Sequence, residues 1–230
     1  MENDYTSLKK KMRGNGNHVL GNIFRRISIR LSMIFLKFNI MPNTITWFSF
    51  LLILFTIPII IIFRENGYFV ISILIILSYI LDFCDGEVAR ALDICSNKGK
   101  WLDSALDRLK EFIIISEAVL SLIFGNNLLP HEYILCTFSI LVPLYAQYIS
   151  EIAIQNINKD IPVKNDVKIQ NSKLQSYLIY VNPLDVGLLL NIFALAYLIN
   201  LKIIIYYIGT FGVPWIILMF INYYYRKNWD

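Results

Sequence analysis

Residues 82–108, DFCDGEVARALDICSNKGKWLDSALDR, hold five aspartates in a chain that is otherwise largely apolar. The uncharged run YFVISILIILSYIL, 68–81, leads directly into this stretch, and FIIISEAVLSLIF, 112–124, follows it. Carboxylates are therefore clustered at the ends of two apolar helices. A carboxylate at the centre of a bilayer costs about 2.5–3.5 kcal/mol on insertion scales. Nearer the interface the cost falls, but it still requires a compensating use.

The rest of the chain supplies the setting. Of its 230 residues, 57% are hydrophobic and 17% charged, whereas soluble domains run near half apolar and about a quarter charged. Several apolar runs approach or exceed the roughly 20 residues that a helix needs to cross a bilayer. The expected fold class is all-α, a polytopic membrane protein with six transmembrane helices at about 45–63, 68–92, 101–124, 133–154, 183–199 and 203–225. A single domain over 1–230 is expected, with an interfacial segment at 1–40 and a six-helix core at 41–225.

In the first segment, Leu20, Ile23, Phe24, Ile27, Leu31, Ile34 and Phe35 follow helical spacing, with Arg25, Arg26, Arg30 and Lys37 between them. This predicts an amphipathic helix on an anionic membrane surface. The polar N-terminus, MENDYTSLKKKMRGNG, does not read as a signal peptide. Pro42 breaks the amphipathic helix and starts the next. Every Lys and Arg except Arg64 and Lys202 falls on one side of the six-span topology. The positive-inside rule then sets both termini and the aspartate-rich loop in the cytoplasm. Cys84, Cys95, Cys136, His18 and His131 are scattered, which opposes a disulfide framework or a zinc site and predicts buried, inert cysteines.

Asp82 and Asp85 are three apart on one helix, and Asp103 and Asp107 are four apart on the next, so each pair shares a face. The two helices are antiparallel neighbours joined by the short loop 93–100, which lets the four carboxylates meet. Clustered carboxylates repel, and a cation relieves them. An all-oxygen set without His or Cys favours Mg²⁺ or Mn²⁺, ions that hold diphosphates and, in pairs, clamp a phosphoryl group during displacement. Gly86 and Ala89 remove side chains on the aspartate face and open a slot for a phosphate or a flat base. Arg90 offers a planar fork to phosphate oxygens, and Ser96 and Gly99 are available in the loop. Asp93 and Glu111 read as solvated or salt-bridging charges.

Asp82, Asp85, Gly86, Ala89, Arg90, Gly99, Asp103 and Asp107 reproduce D-x2-D-G-x2-A-R-x8-G-x3-D-x3-D without departure. This resembles the signature of the class-I CDP-alcohol phosphotransferases (CDP-alcohol phosphatidyltransferases). PNTIT, 42–46, is also similar to the P-N-x-x-T that opens the first span in many members. The resemblance implies a homodimeric six-helix enzyme of phospholipid biosynthesis with a cavity open to the cytoplasm. It implies two divalent ions on Asp82, Asp85, Asp103 and Asp107, bridged by the diphosphate of a CDP-linked donor. Gly86, Ala89, Arg90, Ser96 and Gly99 would line the nucleotide site, with Pro42, Asn43 and Thr46 as another wall. Asp107 would act as general base on the hydroxyl of an alcohol acceptor, and CMP would leave. CDP-diacylglycerol is the expected donor, with a CDP-linked headgroup as the other choice. No nucleic-acid partner is expected.

Two rivals share part of this pattern. A UbiA-type intramembrane prenyltransferase also holds a diphosphate on aspartates and Mg²⁺, but needs no fixed Gly86, Ala89, Arg90 and Gly99. A cation transporter would carry its acids near mid-membrane on broken helices. The acceptor is not set by the motif. The loop 155–176 offers Lys159, Lys164, Lys168 and Lys173 but no arginine, and Lys98, Lys100, Arg108 and Lys110 are further candidates for a phosphorylated acceptor.

Overall fold

A computed structural model of the chain describes residues 11–12, 19–125, 128–160 and 186–218, with the backbone alone at 19–23, 147–160 and 186–187. The side chains of Leu20 and Ile23, His18, most of the loop 155–176, the start of the fifth expected span and the end of the sixth lie outside the described residues. The described residues are helical, without strands. The elements are α1 (Val19–Lys37), α2 (Pro42–Leu54), α3 (Thr56–Phe63), a 3₁₀ turn (Arg64–Gly67), α4 (Tyr68–Ala91), α5 (Asn97–Phe124), α6 (Pro130–Asp160), α7 (Val186–Ile199) and α8 (Lys202–Tyr207). A π turn (Ile208–Gly212) follows α8, and helix continues through 213–218. By length and apolarity, one continuous helical segment, Pro42–Ala91, qualifies as bilayer-crossing among the described residues.

That segment is a folded hairpin. Thr46 bonds Asp85, Ser49 bonds Ser78 and Asp82, and the chain reverses at Arg64–Gly67 between them. The first arm, expected as one span, is divided at Phe55 into α2 and α3. The cause is Pro58, which cannot donate to the carbonyl four residues earlier and crowds it. The Thr56 hydroxyl compensates locally by donating to the Ile53 carbonyl at 2.5 Å.

The chain forms two compact units. The first, residues 1–121 and 186–201, is built around α4. Ile71, Ile75, Cys84 and Val88 are fully enclosed, and α7 contributes Leu189, Phe193 and Tyr197 to the same interior. Ser72 ties the two helices by donating to the Ala194 carbonyl at 2.8 Å. On α3 and α5, Thr56 donates to the buried Glu117 carboxylate at 2.9 Å. Large apolar side chains also cover the outside, among them Phe48, Phe55, Ile61, Ile62 and Phe69. Such a surface is expected where the solvent is lipid.

Helix α1 follows the expected helical spacing, but its apolar residues divide between two faces. Phe24, Leu31 and Phe35 pack against the cluster of Ile45, Ile80, Cys84 and Val88, whereas Ile27 and Ile34 are exposed. Between the packed apolar residues lie two buried serines. Ser28 and Ser32 donate to the two oxygens of Glu87 on α4, each at 2.8 Å. Helix α1 ends in a Schellman turn, with Asn39 left-handed at φ 55° and Ile40 N–H bonded to the Phe35 carbonyl at 2.9 Å.

The second unit, residues 122–185 and 202–230, is described through α6, α8 and the π turn. Glu132 opens α6 and binds Lys202 at 2.8 Å and the Tyr206 hydroxyl at 2.8 Å. The π turn interrupts the sixth expected span just before Pro214, which withholds an N–H from the helix ladder. Cys84 and Cys136 are buried as expected, but Cys95 is exposed because it sits in the loop between α4 and α5.

Candidate active site

Helix α4 ends in a second Schellman turn. Asp93 takes the left-handed position at φ 57°, and Ile94 N–H bonds the Ala89 carbonyl at 3.1 Å. Three residues later Ser96 caps α5, its hydroxyl accepting from the Gly99 N–H at 3.0 Å. Ser96, expected to line the ligand site, also starts a helix in this structure. The α4–α5 connection brings the two aspartate pairs together, and all the residues below belong to the first unit.

Asp85 is 5% exposed and receives the Thr46 hydroxyl at 2.7 Å. Thr46 sits on the first turns of α2, where Pro42 occupies the first helical position and needs no N–H partner. The like charge that acts most strongly on Asp85 is Asp103, and on Asp103 it is Asp107. Asp82 accepts from Ser49 at 2.5 Å and from Lys110 at 2.6 Å. The Lys110 ammonium also lies 2.7 Å from Asp107 Oδ1. The four carboxylates thus share one pocket at the junction of α2, α4 and α5.

The glycines have steric reasons to be there. A Cβ on Gly86 would come within 3.1 Å of Arg90 Nη1, so the guanidinium lies over the bare backbone of the aspartate face. Arg90 Nε donates to the Met12 carbonyl at 2.9 Å. A Cβ on Gly99 would meet Ser96 Oγ at 3.2 Å and Asn43 Oδ1 at 3.5 Å. Asn43, Ser96 and Gly99 therefore form one wall, with Asn43 and Ser96 exposed. Ala89 is half-buried on the Arg90 side of α4. Asp93 pairs with Lys11, and Glu111 with Arg108 at 3.4 Å, as expected of charges outside the pocket.

Two participants, Ser49 and Glu87, had no role in the sequence reading, and Lys110 was expected only as a candidate for a phosphorylated acceptor. Ser49 and Lys110 enter the pocket itself, and Glu87 anchors α1 one helical turn from it. Lys110 had a legible signal: with Asp103 and Asp107 it forms an i, i+4, i+7 series, which puts all three on one helix face.

The donor set fits a hard divalent ion. All four ligand candidates are carboxylates, and Asp103 Oδ1 is buried without a hydrogen-bond partner. Among the described residues, no three Asp, Glu, His or Cys side chains converge as ligands of one ion. Lys110 explains part of that geometry by drawing Asp82 and Asp107 onto its ammonium.

Comparison with known proteins agrees with the motif. The family model for CDP-alcohol phosphatidyltransferase matches residues 39–221. A bifunctional IPC transferase and DIPP synthase of Archaeoglobus fulgidus is 32% identical over 144 residues, covering 61% of this chain and 26% of that protein. The protein of the same name from Aquifex aeolicus is 34% identical over 116 residues, covering 50% of this chain and 26% of that protein. The chain spans about a quarter of the length of the curated relatives it matches. The match to the family model takes in α2 to α8 and every aspartate of the pocket, and on that ground the chain belongs to the CDP-alcohol phosphatidyltransferase family.

Proposed function

We propose that this chain transfers the phospho-alcohol group of a CDP-linked donor to the hydroxyl of a polar alcohol, releasing CMP. The observation that supports the reading most is that Lys110 lies against Asp82 and Asp107 and Thr46 donates to Asp85, on helices within the residues that the family model matches. Mg²⁺ or Mn²⁺ held by these aspartates would neutralise the donor diphosphate and stabilise charge on the leaving CMP.

The protein's own groups do the rest. Arg90, lying over Gly86, offers its fork to the phosphate oxygens or the cytidine end. Gly86 and Ala89 leave room for that approach, while Pro42, Asn43, Ser96 and Gly99 wall the site and Thr46 orients Asp85. Asp107 is partly exposed, at 22% of its side chain, so an acceptor can reach it. As general base it takes the acceptor proton; the acceptor oxygen then forms a bond to the β-phosphorus, and the bond from that phosphorus to the bridging oxygen breaks. The electron pair leaves with CMP.

The proposed donor is lipid-linked, CDP-diacylglycerol. Trp47 follows Thr46, and Trp101 lies two residues before Asp103; both are exposed. Exposed tryptophans prefer the headgroup level of a bilayer, where the diphosphate of such a donor resides. The six-span topology, the cytoplasmic orientation, the interfacial position of α1 and a homodimeric assembly belong to the same proposal. The lysine and arginine asymmetry supports the orientation.

The test supplies the purified protein in lipid nanodiscs with Mg²⁺ or Mn²⁺ and either CDP-diacylglycerol or CDP-linked polar alcohols. Each donor is offered against a panel of acceptor alcohols, and the products are identified by phosphorus NMR. A phosphodiester from CDP-diacylglycerol supports the full reading. A product from a CDP-linked polar alcohol alone retains the chemistry and replaces the donor. No product from any CDP compound rejects the proposal.

A further inference from the structure

Lys11 and Met12, remote from α4 in sequence, are fastened to its C-terminal end. Arg90 Nε donates to the Met12 carbonyl at 2.9 Å, and the Met12 side chain is fully buried. Lys11 Nζ donates to the Ala91 carbonyl at 3.3 Å and pairs with Asp93, the left-handed residue that follows α4. A lysine at a helix C-terminus satisfies a carbonyl left without an N–H and meets the negative end of the helix dipole. The ion pair is exposed and contributes little by itself. Met12, through its burial and its carbonyl, therefore carries most of the fastening.

The Met12 carbonyl acts on one N–H of Arg90. A guanidinium presents its N–H groups in a rigid planar fork, so a bond to Nε fixes the direction of the rest. Those lie over Gly86, where a Cβ would stand 3.1 Å from Nη1 and 3.6 Å from Nη2. Gly86 directly follows Asp85 of the pocket. Among the described residues no carboxylate forms an ion pair with Arg90. The chemistry of the partner decides what is left for a ligand. A carboxylate would orient the guanidinium and also neutralise it, whereas a carbonyl orients it and leaves its charge for an anion.

We infer that Lys11 and Met12 form a positioning strap: the Met12 carbonyl holds the Arg90 guanidinium over Gly86 and so presets the site for the CDP end of the donor. The inference rests on the proposed function, in which Arg90 meets that donor. An arginine released from such a bond spreads over several rotamers. The apparent affinity then falls with the fraction that stays in the binding orientation. The strap bonds to Arg90, Ala91 and Asp93 and not, among the described residues, to the proposed base Asp107. Its loss therefore acts on donor binding and not on turnover.

The experiment titrates CDP, with Mg²⁺, into the purified full-length protein in lipid nanodiscs, and measures KM and kcat for the donor that supports CMP release. The wild type, Met12→Leu and Met12→Asp are compared, the last also in an Arg90→Ala background, with folding checked by circular dichroism. Met12→Asp should weaken CDP affinity and raise the donor KM by about fivefold, with kcat unchanged. Met12→Leu should behave as the wild type, and Met12→Asp should add nothing once Arg90 is replaced. An unchanged CDP affinity in Met12→Asp would overturn the inference. So would an equal loss in the Arg90→Ala background, which would show that Met12 serves the fold alone. Where Met12→Asp fails to fold, the exposed Lys11→Glu decides. Set against Asp93, it should weaken CDP binding by about twofold, and Asp93→Asn should relieve the loss; an unchanged affinity would overturn the inference. Each of these failures leaves the proposed function standing. A wild type that neither binds CDP nor releases CMP would overturn both.

Discussion

Thr46 donates a 2.7 Å hydrogen bond to Asp85 Oδ2 and so joins the two sequence motifs of the site, PNTIT on α2 and DFCDG on α4. The same hydroxyl also donates to the Pro42 carbonyl at 3.1 Å, which holds it in place. A hydrogen bond to a charged group contributes about 1.5–3 kcal/mol. Thr46→Val keeps the side-chain shape and removes the donor from a buried carboxylate. It should lower metal-free stability by about that amount and reduce CMP release by at least tenfold, while Thr46→Ser retains most of both. Thermal unfolding and a CMP-release assay on the two variants check this; equal behaviour of Val and Ser would contradict it.

Asp107→Asn should abolish turnover while part of the CDP-donor binding survives, because Asp82, Asp85, Asp103 and Arg90 are still in place. Radiolabelled donor binding and single-turnover CMP release separate the two effects. Full activity in this variant excludes Asp107 as the base.

Gly86 distinguishes a small from a large addition. A Cβ there lies 3.1 Å from the flexible end of Arg90, which can give way by a few tenths of an ångström. Gly86→Ala is therefore tolerated. Gly86→Leu displaces the guanidinium and fills the slot, weakening donor affinity by at least tenfold, about 1.4 kcal/mol. Titration of a CDP donor against both variants reads this out, and an unchanged affinity for Leu would remove the slot from the account.

The double serine anchor of α1 predicts a stability defect separable from chemistry. Ser28→Ala and Ser32→Ala each leave one oxygen of the buried Glu87 without its partner, at a cost of about 1–3 kcal/mol apiece. The pair acts on one carboxylate, so their effects should not add. A double-mutant cycle in thermal unfolding measures the coupling; simple additivity would argue against a shared anchor.

Glu132 gives the second unit a pH dependence. Hydrogen bonds from Lys202, from the Leu129 N–H and from the Tyr206 hydroxyl hold its carboxyl down at about 2, against an ordinary value of 4.5. A folded-state pKa below the unfolded one contributes stability that is fully present above pH 4.5 and is lost as pH falls toward 2. The stability gap between the wild type and Glu132→Gln should be constant near neutrality and close across that interval. A gap that does not change with pH would show that the bonds do not depend on the charge of Glu132.

The sequence revealed the helices and the aspartate pairs because both depend on local periodicity. The division of the first span at Phe55 was also available, in Pro58, and so was the capping role of Ser96 three residues before Gly99. What the sequence could not supply was rotation. Ser28 and Ser32 meet Glu87 only because α1 turns one particular face to α4, and the apolar stripe of α1 accommodates more than one such face. Lys110 read as one of several basic residues flanking a membrane span. Its burial follows from the packing of α5 against α2 and α4, which sets its ammonium against Ser49, Asp82 and Asp107.

The most direct measurement is metal-dependent CMP release from a CDP-linked donor by the lipid-embedded wild type and by Asp82→Asn, Asp85→Asn, Asp103→Asn and Asp107→Asn. The expected result is Mg²⁺- or Mn²⁺-dependent release by the wild type, lost on chelation, and a fall of at least a hundredfold in each of the four variants. Release that persists undiminished in these variants, or a wild type that releases no CMP from any CDP-linked donor, would contradict it.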